Sequence, residues 1–417
     1  MRVMFRALAH RNYRLWIAGL FISGIGTWMQ MTAQDWTVLT VLTDQDAGAL
    51  SVVIALQTAP QLLLLPISGY VSDRIPRRRL LIGTQIAMGL LAVTLGCLLL
   101  GGVAEYWQVC VLAAVTGVVQ AFDSPARNTF GNELVHPEIL PNAIALGGAT
   151  FNLARLVGPA IAGLLIGVVG PGWIFIANAV TFVAMLTGLG LMRAHEFHPV
   201  QRDDGRSGGW LGGIRYVLRD RRVLALIVMV FLVVGFVGNS ITLLIITAAT
   251  KEFDLGAAGF GLLTSCIAAG SIVGALFAAA RRSPRPRVLL AAALGFGIAL
   301  LLAAVMPTAE TFALSMPLVG FFLMAAMATV NALVQTWTPP GMRGRVIGVY
   351  MLAWMGGAPL GALSFGAVVE AAGPRVALAV AGGVAALCAV GVGLRLCSLR
   401  ASGAAAAPAP AVSEVAP

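Results

Sequence analysis

Charge is what this 417-residue chain has least of: 11% of its residues are ionisable, against about a quarter in a soluble domain. So few charges cannot cover a water-facing surface, which excludes an ordinary soluble globular fold. Lysine is reduced to a single residue, Lys251. No G-x-x-x-x-G-K-[ST] phosphate loop occurs, so the chain is not expected to hydrolyse ATP. Cysteine is sparse too. Cys97, Cys110, Cys266, Cys388 and Cys397 form no C-x-x-C pair, which leaves no disulfide or zinc framework and makes them small apolar side chains expected to be buried. The four histidines, His10, His136, His195 and His198, fall at charged margins. His195 and His198 have the spacing of a metal clamp, yet a solvated loop accounts for them, and no metal or cofactor is expected. The apolar segments contain no nucleophile with its base, so an enzyme is not expected either.

Long apolar runs are what the chain has in abundance: 59% of its residues are hydrophobic. Runs long enough to cross a hydrocarbon core, which takes about 17 to 25 helical residues, fall at 15–42, 50–72, 80–103, 107–123, 143–169, 173–192, 223–249, 257–280, 288–306, 311–336, 345–369 and 375–396. The expectation is an all-α membrane protein with twelve transmembrane helices. A barrel would show short alternating strands instead. The basic start MRVMFRALAHRNYR leads into a run too long for a signal h-region and without a small-residue cleavage site, so the first helix is expected to stay as an anchor.

Placing the N-terminus in the cytoplasm puts 24 of the 27 basic residues on that side, the positive-inside pattern. Lys251, Arg375 and the intramembrane Arg155 are the exceptions. Both termini are therefore expected to be cytoplasmic. The net charge of +10 is spread over many short links and forms no nucleic-acid face.

The two halves repeat each other. DAGALSVVIALQTAP (46–60) is answered by DLGAAGFGLLTSCIAAG (254–270), GYVSDRIPRRRLL (69–81) by GALFAAARRSPRPRVLL (274–290), and RLVGPAIAGLLIGVVGPGW (155–173) by WMGGAPLGALSFGAVVEAAGPR (354–375). Repeats in the same orientation imply two six-helix bundles related by a pseudo-two-fold axis along the membrane normal, with a path between them, which is a transporter architecture. The expected units are 1–192, a linker at 193–222, 223–399 and a disordered tail at 400–417. The linker should end in an amphipathic helix carrying Trp210, Leu211, Ile214, Val217 and Leu218 on one side.

The link GYVSDRIPRRRLL resembles the signature loop of the major facilitator superfamily, G-x-x-x-D-R-x-G-R-R/K. Gly69, Asp73, Arg74, Arg77 and Arg78 match, and Pro76 stands where glycine is usual. GTWMQ (26–30), AQDW (33–36), AFDSPAR (121–127) and FNLARLVGPAIAG (151–163) resemble its enterobactin-exporter-like branch of bacterial efflux permeases. The resemblance implies a bacterial inner-membrane exporter with a conformational lock at this link. Gly69 would let the second helix approach a neighbour, Asp73 would pair with Arg77 or Arg78, and Asp123 would compete for Arg77 as the bundles move; the other readings are arginines that only fix topology, as RRSPRPR does, and a helix exit where Asp123 and Pro125 start a turn. Arg79 is read as plain topogenic charge. The motif A-x-x-x-G-P-x-x-A-G, with Gly158, Pro159 and Gly163, resembles the antiporter motif of helix five, although Ala154 and Ala162 replace glycines; a structural kink is the other reading.

An ionised side chain at mid-bilayer costs at least about 2.5 to 3.5 kcal/mol, so each one there requires a reason. Asp35 lies about 28 Å of helix beyond Trp16, near the outer end of the first span, and Arg155 about 18 Å into the fifth. Desolvation makes Asp35 the candidate for proton coupling, with a solvated helix end as the other reading. Gln30, Gln34, Asn152 and Arg155 are the candidate cavity residues, because the superfamily borders its cavity with helices one and five; interhelical hydrogen bonding is the alternative for the amides. The expected function is secondary, proton-coupled export of a small amphipathic, drug- or siderophore-like molecule by a monomer. A lipid or lysolipid flippase, a solute uptake permease and a non-transporting membrane sensor are the alternatives.

Overall fold

Inside hydrocarbon a backbone must satisfy its own hydrogen bonds. Among the described residues it does so with helices and no strands. The computed structural model describes residues 6–198, 210–281 and 283–405, apart from the side chains of Pro66, Tyr70, Ser72, Asp73, Trp210, Leu211 and residues 399 onward. The first half comprises α1 (Arg11–Thr37), α2 (Ala47–Leu63), α3 (Leu65–Arg74), α4 (Arg77–Leu100), α5 (Tyr106–Phe130), α6 (Leu140–Val169) and α7 (Pro171–Leu191). After α8 (Trp210–Arg219) come α9 (Arg221–Met229), α10 (Ile241–Lys251), α11 (Ala257–Ala279), α12 (Pro286–Val305), α13 (Ala309–Trp337), α14 (Arg343–Ala372) and α15 (Pro374–Ala405).

Ten segments of the described chain are long and apolar enough to cross a membrane, Arg221–Lys251 counting as one. The expected first and second spans are not among them. α1 carries Arg11, Arg14, Gln30, Gln34 and Asp35, which lower its hydropathy. The second expected span is divided: Ala47–Leu63 is a shorter apolar helix, and the chain turns at Leu64 (φ −89°, ψ −1°) before α3, which has proline in its first turn.

Short connections make successive helices antiparallel, so one end of the molecule collects Arg11, Arg77, Arg127, Arg219, Arg285 and Arg343 while the turns at 43–46, 101–105 and 306–308 lie at the opposite end. Matched irregularities mark the repeat. α6 and α14 both end on a glycine with φ near +85° and ψ near 165°, Gly170 and Gly373, a region only glycine occupies without strain. Each is followed by proline opening the next helix. π-helical turns occupy Val38–Leu42, after α1, and Val230–Val237, between α9 and α10.

α1 packs on α6 and α7, α4 on α5 and α7, and α2 on α5; later in the chain, α11 packs on α13, and α12 on α13 and α15. Lipid gives helices no hydrophobic reason to associate, so close packing at small residues does that work. The α11–α13 contact is the tightest case. A side chain at Gly270 would run into the Pro317 carbonyl, and one at Gly320 into the Ile267 carbonyl.

α8 lies where the linker is expected to end in an amphipathic helix. Val217 is buried against α14, but Leu218 is 63% exposed, while the side chains of Trp210 and Leu211 lie outside the described residues. The expected tail boundary at 399 is passed by α15, which runs to Ala405; residues 406–417 lie outside the described residues. The cysteines correct another expectation. None is buried, all are free, and Cys97 and Cys397 are exposed, because lipid accepts a thiol as readily as a core does.

If the α11–α13 crossing depends on backbone contact, Gly270→Val is expected to cost about 1 to 3 kcal/mol and to lower the unfolding temperature in detergent by several degrees, whereas Gly167→Val, at an open lipid-facing position, leaves it within about a degree.

Candidate functional site

The charged link at the arginine-rich end is built from α3, α4 and their neighbours. Arg77 forms an ion pair with Glu133 of the 3-10 turn Gly131–Leu134. Arg78 donates to the carbonyls of Leu189 and Gly190 at 2.9 and 3.1 Å, capping the end of α7. Asp123, buried at 4% exposure, is fully engaged. Its Oδ1 accepts from Thr84 Oγ1 at 2.7 Å and Gln85 Nε2 at 2.9 Å, and its Oδ2 receives the Arg127 guanidinium at 2.7 to 2.8 Å. The acid facing Arg77 is therefore Glu133, and Asp123 serves Arg127 one helical turn along. Arg74 closes α3. The side chain of Asp73 lies outside the described residues, and with it the expected pairing to Arg77 or Arg78.

At mid-depth the expected polar cluster divides in two. Gln30 accepts from Asn178 Nδ2 at 2.6 Å, Gln34 donates to Gln57 at 3.2 Å, and Gln61 donates to Gln120 at 2.9 Å. Gln30, Gln34, Gln57, Gln120 and Asn178 line a chamber of about 20 Å³ between α1, α2, α4, α5 and α7, room for about one water. Asn152 and Arg155 lie elsewhere. Asn152 donates to the Gly148 carbonyl, and the Arg155 guanidinium sits 5.5 Å from the centre of the Trp28 ring, whose edge meets Phe151. Two residues along a helix is about 200° around its axis, so Trp28 faces α6 while Gln30 faces α7. Asp35 is buried near the opposite end, 8% exposed, three residues before the π-helical turn. Neither Asp35 nor Arg155 forms an ion pair among the described residues.

α6 carries Gly158, Pro159 and Gly163 at two crossings. A side chain at Gly158 would lie 2.5 Å from Trp28 Cβ of α1, and one at Gly163 would lie 2.7 Å from the Ala257 carbonyl of α11. Gly261 of α11 meets the Pro159 carbonyl in return, and Ser265 Oγ donates to the Leu156 carbonyl at 3.0 Å.

The second crossing between the halves is α2 with α14. Glu370 accepts the Ala47 backbone N–H at 2.8 Å, Gly366 lies over Ser51, and Gly356 lies opposite Leu62. Carried on in the same antiparallel register, Gly348 would face Gly69. Both are open: a side chain at either would meet nothing within 4 Å. The close approach expected at Gly69 is absent in this conformation, because the helices have diverged toward the arginine-rich end. Gly147 and Gly148, at that end of α6, are open as well.

Sequence reasoning missed the cluster at the opposite end. Lys251 Nζ pairs with Glu370 at 2.7 Å, and Arg375 Nε with Glu252 at 2.8 Å. The signal was present, since Lys251 and Arg375 are the basic residues that break the positive-inside pattern, and each has an acid as partner. Glu133 was missed because a surface acid in a short turn carries no motif. Among the described residues no group of His, Cys, Asp or Glu is placed to hold a metal; His136 and His198 make a ring contact at 5.8 Å.

Membrane-spanning helices that meet at one end and diverge at the other, with polar side chains between them, define a multi-pass membrane transporter. The nucleoside transporter NupG superposes with a TM-score of 0.75 over 92% of this chain and 99% of its own, at 13% identity. The chain belongs to the transmembrane secretion effector family of the major facilitator superfamily, which it matches over residues 4–415. It is 28% identical over 370 residues to the multidrug efflux pump Tap of Mycobacterium tuberculosis, covering 84% of this chain and 85% of that one. It is 27% identical over 308 residues to the enterobactin exporter EntS of Shigella flexneri, covering 72% of each. Its family makes it a transporter, not an enzyme.

Glu370 joins α2, α10 and α14 at the closed end. Its side chain is 42% exposed, so the ion pair contributes about 0.2 to 1 kcal/mol. In a cysteine-free background, Glu370→Gln is expected to raise the labelling rate of Ser51→Cys by a membrane-impermeant maleimide about two- to five-fold; an unchanged rate means that the glycine contacts alone hold this end shut.

Proposed function

We propose that the chain is a proton-driven exporter of a small amphipathic molecule, drug-like or siderophore-like, working by alternating access in a bacterial inner membrane. In this reading twelve spans form two six-helix bundles, 1–192 and 223–399, joined by 193–222, with both termini in the cytoplasm and a monomer as the working unit. The supporting observation is the one-sided contact between the halves. α2 and α6 touch α14 and α11 at backbone distance toward the arginine-poor end, while Gly69 and Gly348 stand apart at the other. This is an inward-open state, closed to the outside and ready to load a substrate for export. The relatives named for multidrug efflux and enterobactin export support the direction.

The roles follow from depth. Arg155 and Asn152 on α6 face the substrate path beside Trp28. Gln30 and Gln34 on α1 join the amide chamber behind it, where a rotation of α1 would change their partners. Asp35, buried and in no ion pair among the described residues, takes up a proton from the outer side, and one charge crossing 100 mV supplies about 2.3 kcal/mol. Gly158, Pro159 and Gly163 keep α6 in contact with both halves through the cycle. In the outward-open state α3 swings against α14, Gly69 meets Gly348, and Asp73 with Arg74 forms the lock. Arg77, Arg78 and Asp123 hold α4, α5 and α7 together so that the lock moves as one body.

Two measurements test this. In everted vesicles, wild type is expected to accumulate a fluorescent cationic dye or a catecholate siderophore only with a proton gradient, and Asp35→Asn is expected to lose at least about ten-fold of the gradient-driven rate. Asp35 has no part in coupling if that variant keeps the wild-type pH dependence. In a cysteine-free background, Gly69→Cys with Gly348→Cys is expected to cross-link only during turnover and to arrest export; failure to cross-link under any condition removes the rocking motion.

A further inference from the structure

One groove in the described chain belongs to neither the proposed substrate path nor the proposed lock. It holds about 330 Å³ and lies between α9 and α15 at the arginine-rich end. Its lining is two facing helical stripes. Leu224, Ala225, Val228 and Leu232 recur at the spacing of one helix face, opposite Cys388, Gly391 and Val392. Ala225 and Val392 are buried and form the floor, while Val228 is 40% exposed and forms a rim open to the outside of the helix cluster. Each stripe ends in an arginine at the same end, Arg221 and Arg395. Neither arginine makes an ion pair among the described residues. The nearest acid in sequence, Asp220, is turned away to cap α9, accepting from the backbone N–H groups of Arg222 and Val223 at 2.9 and 3.3 Å.

We infer that this groove binds one anionic phospholipid from the leaflet on the arginine-rich side. Two guanidiniums at the mouth of an apolar slot match a phosphate ester above a hydrocarbon chain, and basic pockets between transmembrane helices recognise anionic head groups in this way. The length fits. Arg221 to Leu232 spans about 16 Å of helix, roughly half of a hydrocarbon core about 30 Å thick, so the slot covers the depth of one leaflet. A soluble anion would use the arginines and leave the slot empty. The missing side chain at Gly391 widens the slot, and a Cβ there would meet nothing within 4 Å, so a larger residue fills the groove without disturbing the helices. The site also bears on transport: α9 continues through the π-helical turn Val230–Val237, which packs on α14, so a lipid seated here bears on the helix that closes against α2.

The test uses the full-length protein in nanodiscs, comparing phosphatidylcholine alone with added phosphatidylglycerol, with unfolding temperature and lipids retained in native mass spectrometry as readouts. Wild type is expected to gain at least about 2 °C with phosphatidylglycerol and to carry one retained copy. Arg221→Gln with Arg395→Gln, and separately Gly391→Leu, are expected to lose both signals while unfolding as wild type does in phosphatidylcholine. Arg285→Gln with Arg287→Gln, at the same end but outside the groove, is expected to keep both. The proposal is overturned if the first pair responds as wild type, or if the control pair loses the effect equally, which would mark diffuse surface attraction. It is also overturned if Gly391→Leu keeps both signals, or if inorganic phosphate alone reproduces the shift.

Discussion

Lipid offers neither hydrogen bonds nor a hydrophobic force to bring one apolar helix to another, so the crossings between the two halves of this chain rest largely on how closely their backbones can approach. That constraint decides where the molecule is held and where it is free to open. The halves meet where glycine faces backbone, at Gly163 with Gly261 and at Gly366 over Ser51. They part where the same register carries Gly348 past Gly69, at each of which a side chain would meet nothing within 4 Å. At each of these crossings a small residue faces backbone, so no large side chain separates the helices.

Electrostatics are divided between the ends for a related reason. At the arginine-rich end the ion pairs described, Arg77 with Glu133 and Asp123 with Arg127, lie within the first half. At the opposite end Glu370 reaches across, tying α14 to the start of α2 and to Lys251. A carboxylate at the N-terminus of α2 is favoured by the helix dipole as well as by the ammonium. Being partly exposed, it is a weak tie. Arg221 and Arg395, which form no ion pair among the described residues, lie outside this arrangement at the mouth of an apolar groove.

Of the candidate site, the sequence revealed residue types and depths but not directions. Gln30 and Gln34 were legible as a polar stripe because they recur at i, i+4, and Arg155 because a charge in an apolar run stands out. Their separation was not legible, since it depends on which faces of α1 meet α6 and α7. Asp123 was legible as a buried-end acid, yet its partner is Arg127, one turn away, where the local geometry of a helix offers the shortest reach. Glu133 and Glu370 were invisible as partners because each acts across more than fifty residues of chain.

By itself, the sequence determined that this protein lives in a membrane, that it is helical, and that its arginines gather in the links between apolar runs. Those properties depend on composition and on local periodicity, which need no knowledge of neighbours. Only the tertiary structure decided that the second span breaks at Leu64, that the closed end is the one with Lys251 and Glu370, and that the amides of α1 turn away from Arg155. Those outcomes are set by contacts between helices far apart in the chain, whose register and rotation are chosen by glycine-sized gaps that no single segment encodes.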